Sequence, residues 1–112
     1  MEPVWSNQID KILKVGHSLD NVGVQNWALT KDQALNALEQ FSTLEISILG
    51  GDVYEYVDGI IRSSYDSWYC DSHSGEAKRD FVKRSIEKAK SYIEAYKVED
   101  VNKVFFVFVP DT

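Results

Sequence analysis

Asp58-Gly59 separates two runs rich in β-branched and aromatic residues, residues 52–57 and 60–65. A two-residue Asp-Gly connection supplies the positive φ angles that a tight hairpin turn needs, with the twist that antiparallel strands follow. The two runs are therefore expected to pair as a hairpin. At least one antiparallel pairing is forced on whatever the rest of the chain builds.

The remaining elements follow from periodicity. Trp5, Ile9, Ile12, Leu13 and Leu19 fall at helical steps, predicting a helix over residues 4–19 with Gly16 as a stop. A short extended piece over 24–29 leads into Thr30-Lys31-Asp32-Gln33, which fits a capping box. Ala34, Leu35, Ala37, Leu38 and Phe41 then form the apolar stripe of a helix over about 31–41. Residues 46–49 open a strand interrupted by Gly50-Gly51, where a bulge, a bend or a close backbone approach is expected. Residues 66–75 read as strand passing into loop. Ala77, Phe81, Val82, Ile86, Ala89, Ile93 and Tyr96 trace a long helix from about 76 to 96. Ser74 is placed to cap it, and Glu76 to sit at its positive end. The apolar run 103–109, closed by Pro110, reads as a strand buried on both faces and hence central. The expected fold is α+β: a small, largely antiparallel sheet with about three helices packed mainly on one face. At 112 residues, the expectation is a single domain over 1–112.

Composition narrows the function classes. Twelve Lys+Arg against eighteen Asp+Glu leave a net charge of -6, which works against general binding to phosphate backbones. Direct nucleic-acid binding is not expected; a basic protein partner is. The longest apolar run is far below a membrane span, and residues 1–13 (MEPVWSNQIDKIL) lack the pattern of a signal peptide. The default expectations are a cytoplasmic chain and no membrane contact. No phosphate-cradling loop, dinucleotide fingerprint or nucleophile elbow occurs, and no cofactor is expected. Gly50-Gly51-Asp52 invites comparison with the hairpin of diguanylate cyclases, but Val53-Tyr54 stands where that motif has an acid and an aromatic.

Two constellations deserve weighing. Cys70, Asp71 and His73 put a thiol, a carboxylate and an imidazole within four residues, the raw material of a small thiol- or metal-dependent enzyme. Local spacing does not establish such chemistry, and the plainer reading is a core cysteine with a loop histidine. The second constellation is the charge itself. Residues 52–76 hold six acids (Asp52, Glu55, Asp58, Asp66, Asp71, Glu76) and one base, Arg62, so -5 of the net -6 lies there. The same stretch carries Tyr54, Tyr56, Tyr65, Trp68 and Tyr69. Aromatic anchors beside acids resemble a protein-binding surface. The competing account is a solvated sheet edge with some rings in the core. A third reading is an oligomeric structural subunit that uses the aromatic hairpin as its contact.

Residues 26–30 (NWALT), 33–35 (QAL), 48–54 (ILGGDVY), Tyr65-Asp66-x-Trp68-Tyr69-Cys70-Asp71, 84–89 (RSIEKA) and the Phe-rich C-terminal strand together resemble bacterial immunity proteins of polymorphic toxin systems, the fortieth family of that series. The likeness runs from about 26 to 109, and residues 1–25 add little. The resemblance implies a non-catalytic protein that neutralises a cognate toxin by binding it, often over the active site. Many such toxins are nucleases, whose basic phosphate-binding surfaces an acidic inhibitor complements. The expected toxin-binding residues are Asp52, Tyr54, Glu55, Tyr56, Asp58, Tyr65, Asp66, Trp68, Tyr69 and Asp71. When free, the chain is expected to be a monomer or a weak homodimer.

Overall fold

In the computed structural model, which describes residues 7–111, the chain runs α1 (Asn7–Leu13), β1 (His17–Ser18), a 3₁₀ turn (Asp20–Val22), β2 (Trp27–Ala28), α2 (Lys31–Thr43), β3 (Ile48–Val57), β4 (Ile60–Tyr69), α3 (Lys78–Ala95) and β5 (Val104–Pro110). The Asp-Gly turn forms as expected: Val57 pairs with Ile60, and φ is 53° at Asp58 and 81° at Gly59. The capping box also forms. Thr30 Oγ1 accepts the Gln33 N–H at 3.3 Å, and Gln33 Oε1 accepts the Thr30 N–H at 3.0 Å.

The main sheet is antiparallel, in the order β4-β3-β5. β5 is thus not the central strand that its apolar run suggested; β3 is. A two-sided apolar pattern reports burial of both faces, not the number of neighbouring strands. β5 achieves that burial at an edge because Leu29, just past β2, exchanges two backbone hydrogen bonds with Phe106, at 2.8 and 2.7 Å. One face of the sheet (Ile48, Val53, Trp68, Phe106, Phe108) packs against all three helices through Ile9, Leu13, Phe41, Ile86, Ile93 and their neighbours. The other face, with Val107, Phe105, Tyr54 and Ile61, is covered in part by Leu19, Val24 and Ala28.

Leu19 therefore does not belong to the first helix. That helix ends at Leu13, the chain turns through Gly16, and Leu19 fills the second cluster across the sheet. The expected helix over 4–19 merged two apolar sets that lie on opposite sides of the molecule; Trp5 lies outside the described residues. At α3, Ala77 occupies the N-cap with no side-chain cap, so Ser74 does not serve there. Glu76 precedes the helix and is engaged elsewhere, as described below.

The double glycine is where the sheet becomes tightest. β3 runs through it unbroken, with register irregularities between Ile48 and Gly50 towards β5 and between Asp52 and Tyr54 towards β4. Gly51 lies directly opposite Trp68, whose ring folds over it. A Cβ at Gly51 would stand 2.2 Å from Trp68 Cη2 and 2.6 Å from the Val107 carbonyl oxygen, and one at Gly50 2.4 Å from the Trp68 carbonyl oxygen. An aromatic ring covering a cross-strand glycine stabilises the pair and shields its backbone.

Gly51→Ala is expected to cost about 1–3 kcal/mol in urea unfolding, as overpacking against backbone and ring. The same change in a Trp68→Ala background should cost less, because one of the two obstructing groups is gone. Ile86→Ala, in the buried α2–α3 contact, should cost about 2–4 kcal/mol.

Candidate functional site

The acidic, aromatic stretch maps onto β3, β4 and the loop leading to α3, and its residues divide by fate. Trp68 is only 6% exposed. It stacks on Tyr92 with centroids 4.7 Å apart and meets Phe108 edge-on at 6.1 Å. It is a core ring and leaves the expected contact set in this fold. Tyr54 is half-buried against the second cluster, and burial, then the nearby Asp52 charge, raises its pKa above the ordinary phenol value. Glu55 faces Arg62 across the hairpin, Nε to Oε1 3.4 Å, an exposed pair of small energetic weight.

The others are presented to solvent. Tyr56 is 45%, Tyr69 70% and Tyr65 92% exposed. Among the described residues no salt bridge reaches Asp52, Asp58, Asp66 or Asp71. Tyr65 is unusual twice over. Its φ is 69°, the left-handed region that costs a bulky side chain roughly 1–2 kcal/mol, and its ring has no packing to offset that cost. The strain arises because β4 carries two more residues than β3 between the Tyr54–Ser63 and Asp52–Ser67 pairs. The surplus bulges outward with Tyr65 at its crest, and the Tyr65 and Asp66 N–H groups are satisfied by the Ser63 and Ser64 hydroxyls at 3.0 and 3.3 Å.

Cys70, Asp71 and His73 are organised by Arg84, not by one another. Arg84 Nε and Nη2 donate to the two Glu76 carboxylate oxygens at 2.9 and 2.8 Å, Nη1 donates to Cys70 Sγ at 3.2 Å, and Nη2 also reaches the Asp71 carbonyl. Cys70 is 1% exposed, and His73 is tied to Glu76 through its backbone, its N–H donating to Oε1 at 2.9 Å and its carbonyl accepting the Glu76 N–H at 3.0 Å. Among the described residues no group of three or more His, Cys, Asp or Glu side chains is arranged to hold a metal. The trio is thus a clamped loop.

Two grooves flank this surface. One of roughly 540 Å³ lies at the hairpin tip, lined by His17, Val22, Tyr56, Ile60, Ile61 and Phe105 among others. The other, roughly 490 Å³, runs between α2 and α3 over Leu35, Leu38 and Ile86, with Glu39, Glu87 and Lys90 mixing the charge on its rim. Among the described residues no helix is long and apolar enough to cross a membrane.

Against these observations the family assignment can be read. A family model described as Immunity protein 40 matches residues 18–110. The chain belongs to that family. No curated protein and no solved structure matches it. The match opens earlier than the motif string at 26, taking in Leu19, which packs on the second face of the sheet. Membership implies binding to a cognate toxin and no catalytic role.

Several of the motif residues are framework. Asn26 Nδ2 donates to the Phe108 carbonyl at 2.8 Å, Trp27 Nε1 donates to Asp10 at 3.2 Å, and buried Ser85 accepts the Ile48 N–H at 3.0 Å. Gly51, Trp68 and Arg84 act as described above. What sequence reasoning missed is the contribution of α3: Lys88 Nζ sits 5.1 Å from the Tyr69 ring centroid, and Tyr96 Oη donates to Asp66 Oδ2 at 2.6 Å. The signal was present as a four-residue spacing, 88, 92, 96, on one helical face.

The hydrogen bonds from Arg84 and then from the His73 N–H hold Glu76 at about 2, below its ordinary 4.5. A carboxylate with a depressed folded-state pKa contributes stability that is full above its unfolded value and is lost as pH falls through the folded one. Thermal midpoints should therefore drop as pH falls from about 4.5 towards 2. Glu76→Gln should lower the midpoint at neutral pH and flatten that acid limb.

Proposed function

We propose that this chain is a non-catalytic immunity protein that binds and neutralises a basic toxin domain, of the phosphate-binding chemistry that nucleases carry, through the exposed face of the β3–β4 hairpin. The observation that carries this reading is Tyr65: a ring 92% exposed, held on strained backbone, next to Asp66 and on a strand flanked by Asp52, Asp58 and Asp71. Strain without compensating packing in the free chain marks a position whose use lies outside it. An exposed tyrosine supplies burial at low entropic cost, and acids that no salt bridge neutralises steer a cationic partner. Family membership supports the same reading from a separate direction. Binding to nucleic acid itself is not part of it, and the chain acts as one domain, free as a monomer or weak dimer, in the cytoplasm of the producing cell.

The test begins with co-expression: cells making the toxin domain should survive only when this chain is present, and the two should purify together. Asp52→Lys with Asp58→Lys should then slow association severalfold at low salt, an effect that fades as salt rises. Tyr65→Ala should leave association nearly unchanged and raise dissociation at least about tenfold, the range of a buried interface ring. If both variants behave as wild type while Lys83→Glu or Lys90→Glu weakens the complex, the partner docks on the α2–α3 groove and the hairpin reading fails.

A further inference from the structure

Lys88 and Tyr92 on α3, with Tyr96 at its C-cap, run alongside the end of β4, and each meets a different hairpin residue. Lys88 lies over the Tyr69 ring, Tyr92 stacks on Trp68, and Tyr96 hydrogen-bonds Asp66. The Tyr92 and Tyr96 centroids are 5.9 Å apart with their planes tilted by 41°. Tyr92 and Tyr96 are both half-buried. Asp66 is exposed; Tyr96 holds its Oδ2, and among the described residues no hydrogen bond reaches Oδ1. Tyr65, the residue before Asp66 in β4, is exposed to solvent. The Asp66 carboxylate acts on both phenols. Burial, then the Asp66 charge, raises Tyr92, and the hydrogen bond to Asp66, then burial, raises Tyr96.

A fixed carboxylate walled by tyrosine rings is the chemistry that receives a cation: the rings offer negative π-faces and the carboxylate a charged acceptor. The structure already seats one cation on a ring of this edge, Lys88 on Tyr69 at 5.1 Å. Lys88 lies eight residues before Tyr96, about 12 Å along the helix, and makes no salt bridge with Asp66. Of the other bases, Arg84 is held by Glu76, while Arg62 and Lys97 make exposed pairs with Glu55 and Glu99 and none with Asp66. The corner's charge is therefore unanswered within the described residues.

We infer that the corner formed by Asp66, Tyr92 and Tyr96 is a seat for one arginine side chain of the toxin, the anchor around which the rest of the contact closes. A guanidinium fits better than an ammonium because its planar fork can donate to Oδ1 while stacking on a phenol. This rests on the toxin-binding reading above and goes beyond it by naming the group recognised and by drawing α3 into the interface. Tyr96 is a positioning residue, acting through Asp66.

The experiment titrates the full chain at low ionic strength with the peptide Ac-Gly-Arg-Gly-amide, observing Asp66 and the tyrosine rings by NMR. Its lysine and citrulline counterparts are the controls. Weak binding is expected, with shifts confined to Tyr65, Asp66, Tyr92 and Tyr96 and with little response to citrulline. Asp66→Asn should weaken it roughly tenfold, the loss of a charge-assisted bond. Tyr96→Phe, which keeps the packing, should weaken it less, and the double variant should be no worse than Asp66→Asn alone. Shifts spread equally over Asp52, Asp58 and Asp71, an equal response to the lysine peptide, or an unaffected Asp66→Asn protein would each overturn the assignment. In the toxin complex, Asp66→Asn should raise the dissociation rate while sparing association. A toxin bound as tightly by Asp66→Asn ends this inference and leaves the immunity reading intact, whereas a chain that protects no cell and binds no toxin ends the latter even if the peptide binds.

Discussion

The indole of Trp68 lying across Gly51 is the contact on which the rest of the sheet hangs. It requires a residue without Cβ on β3, which the double glycine supplies, and it places the Trp68 ring between the sheet and Tyr92 of α3. From Trp68 the aromatic contacts run edge-on to Phe108, which in turn meets Phe41 of α2 edge-on at 5.9 Å. One ring therefore couples the hairpin, β5 and two helices. Such rings bury large areas, and their edge-to-face geometry adds to what area alone provides. The same ring leaves its Nε1 buried without a hydrogen-bond partner, so it contributes through packing alone.

Features governed by neighbours along the chain were readable in the sequence. The Asp58-Gly59 turn, the Thr30–Gln33 box and the apolar period of α3 depend on residues within a few positions of one another, and each appears where expected. The α+β class followed from them. What the sequence concealed depends on distant partners. Leu19 fits the period of the first helix, yet its partners are Val107 and Ala28, and no local pattern reveals which side of a sheet a leucine will reach. The run 103–109 looked central because Leu29 covers its free edge, a contact made across seventy-odd residues of chain. Ser74 offered a cap, but Arg84 drew Glu76 and the loop into a different arrangement before the helix could begin there.

The candidate surface followed the same division. Composition located the acids and rings correctly in the chain, but alternation along β4 sends Trp68 inward and its neighbour Tyr69 outward. Pairing then removed part of the apparent charge, since Glu55 and Glu76 are matched by Arg62 and Arg84. The side chains proposed to complete the surface, Tyr92 in α3 and Tyr96 at its C-cap, lie some thirty residues on, where Tyr96 read as an ordinary member of an apolar stripe and Tyr92 was not singled out. A surface built from two elements is invisible to a count made along one.

β4 lies at an outer edge of its sheet, a place where an unpaired strand can recruit another copy of itself and begin a polymer. The bulge at Tyr65 forestalls this. Two amide hydrogens that a straight strand would hold in its ladder are turned back onto the hydroxyls of Ser63 and Ser64, and the strand is kinked where a template would need to be flat. Aspartates at 58 and 66 bring like charges together if two such edges approach. A chain with a straight edge would pair with its own copies as its concentration rose; a broken edge removes the template on which such pairing grows.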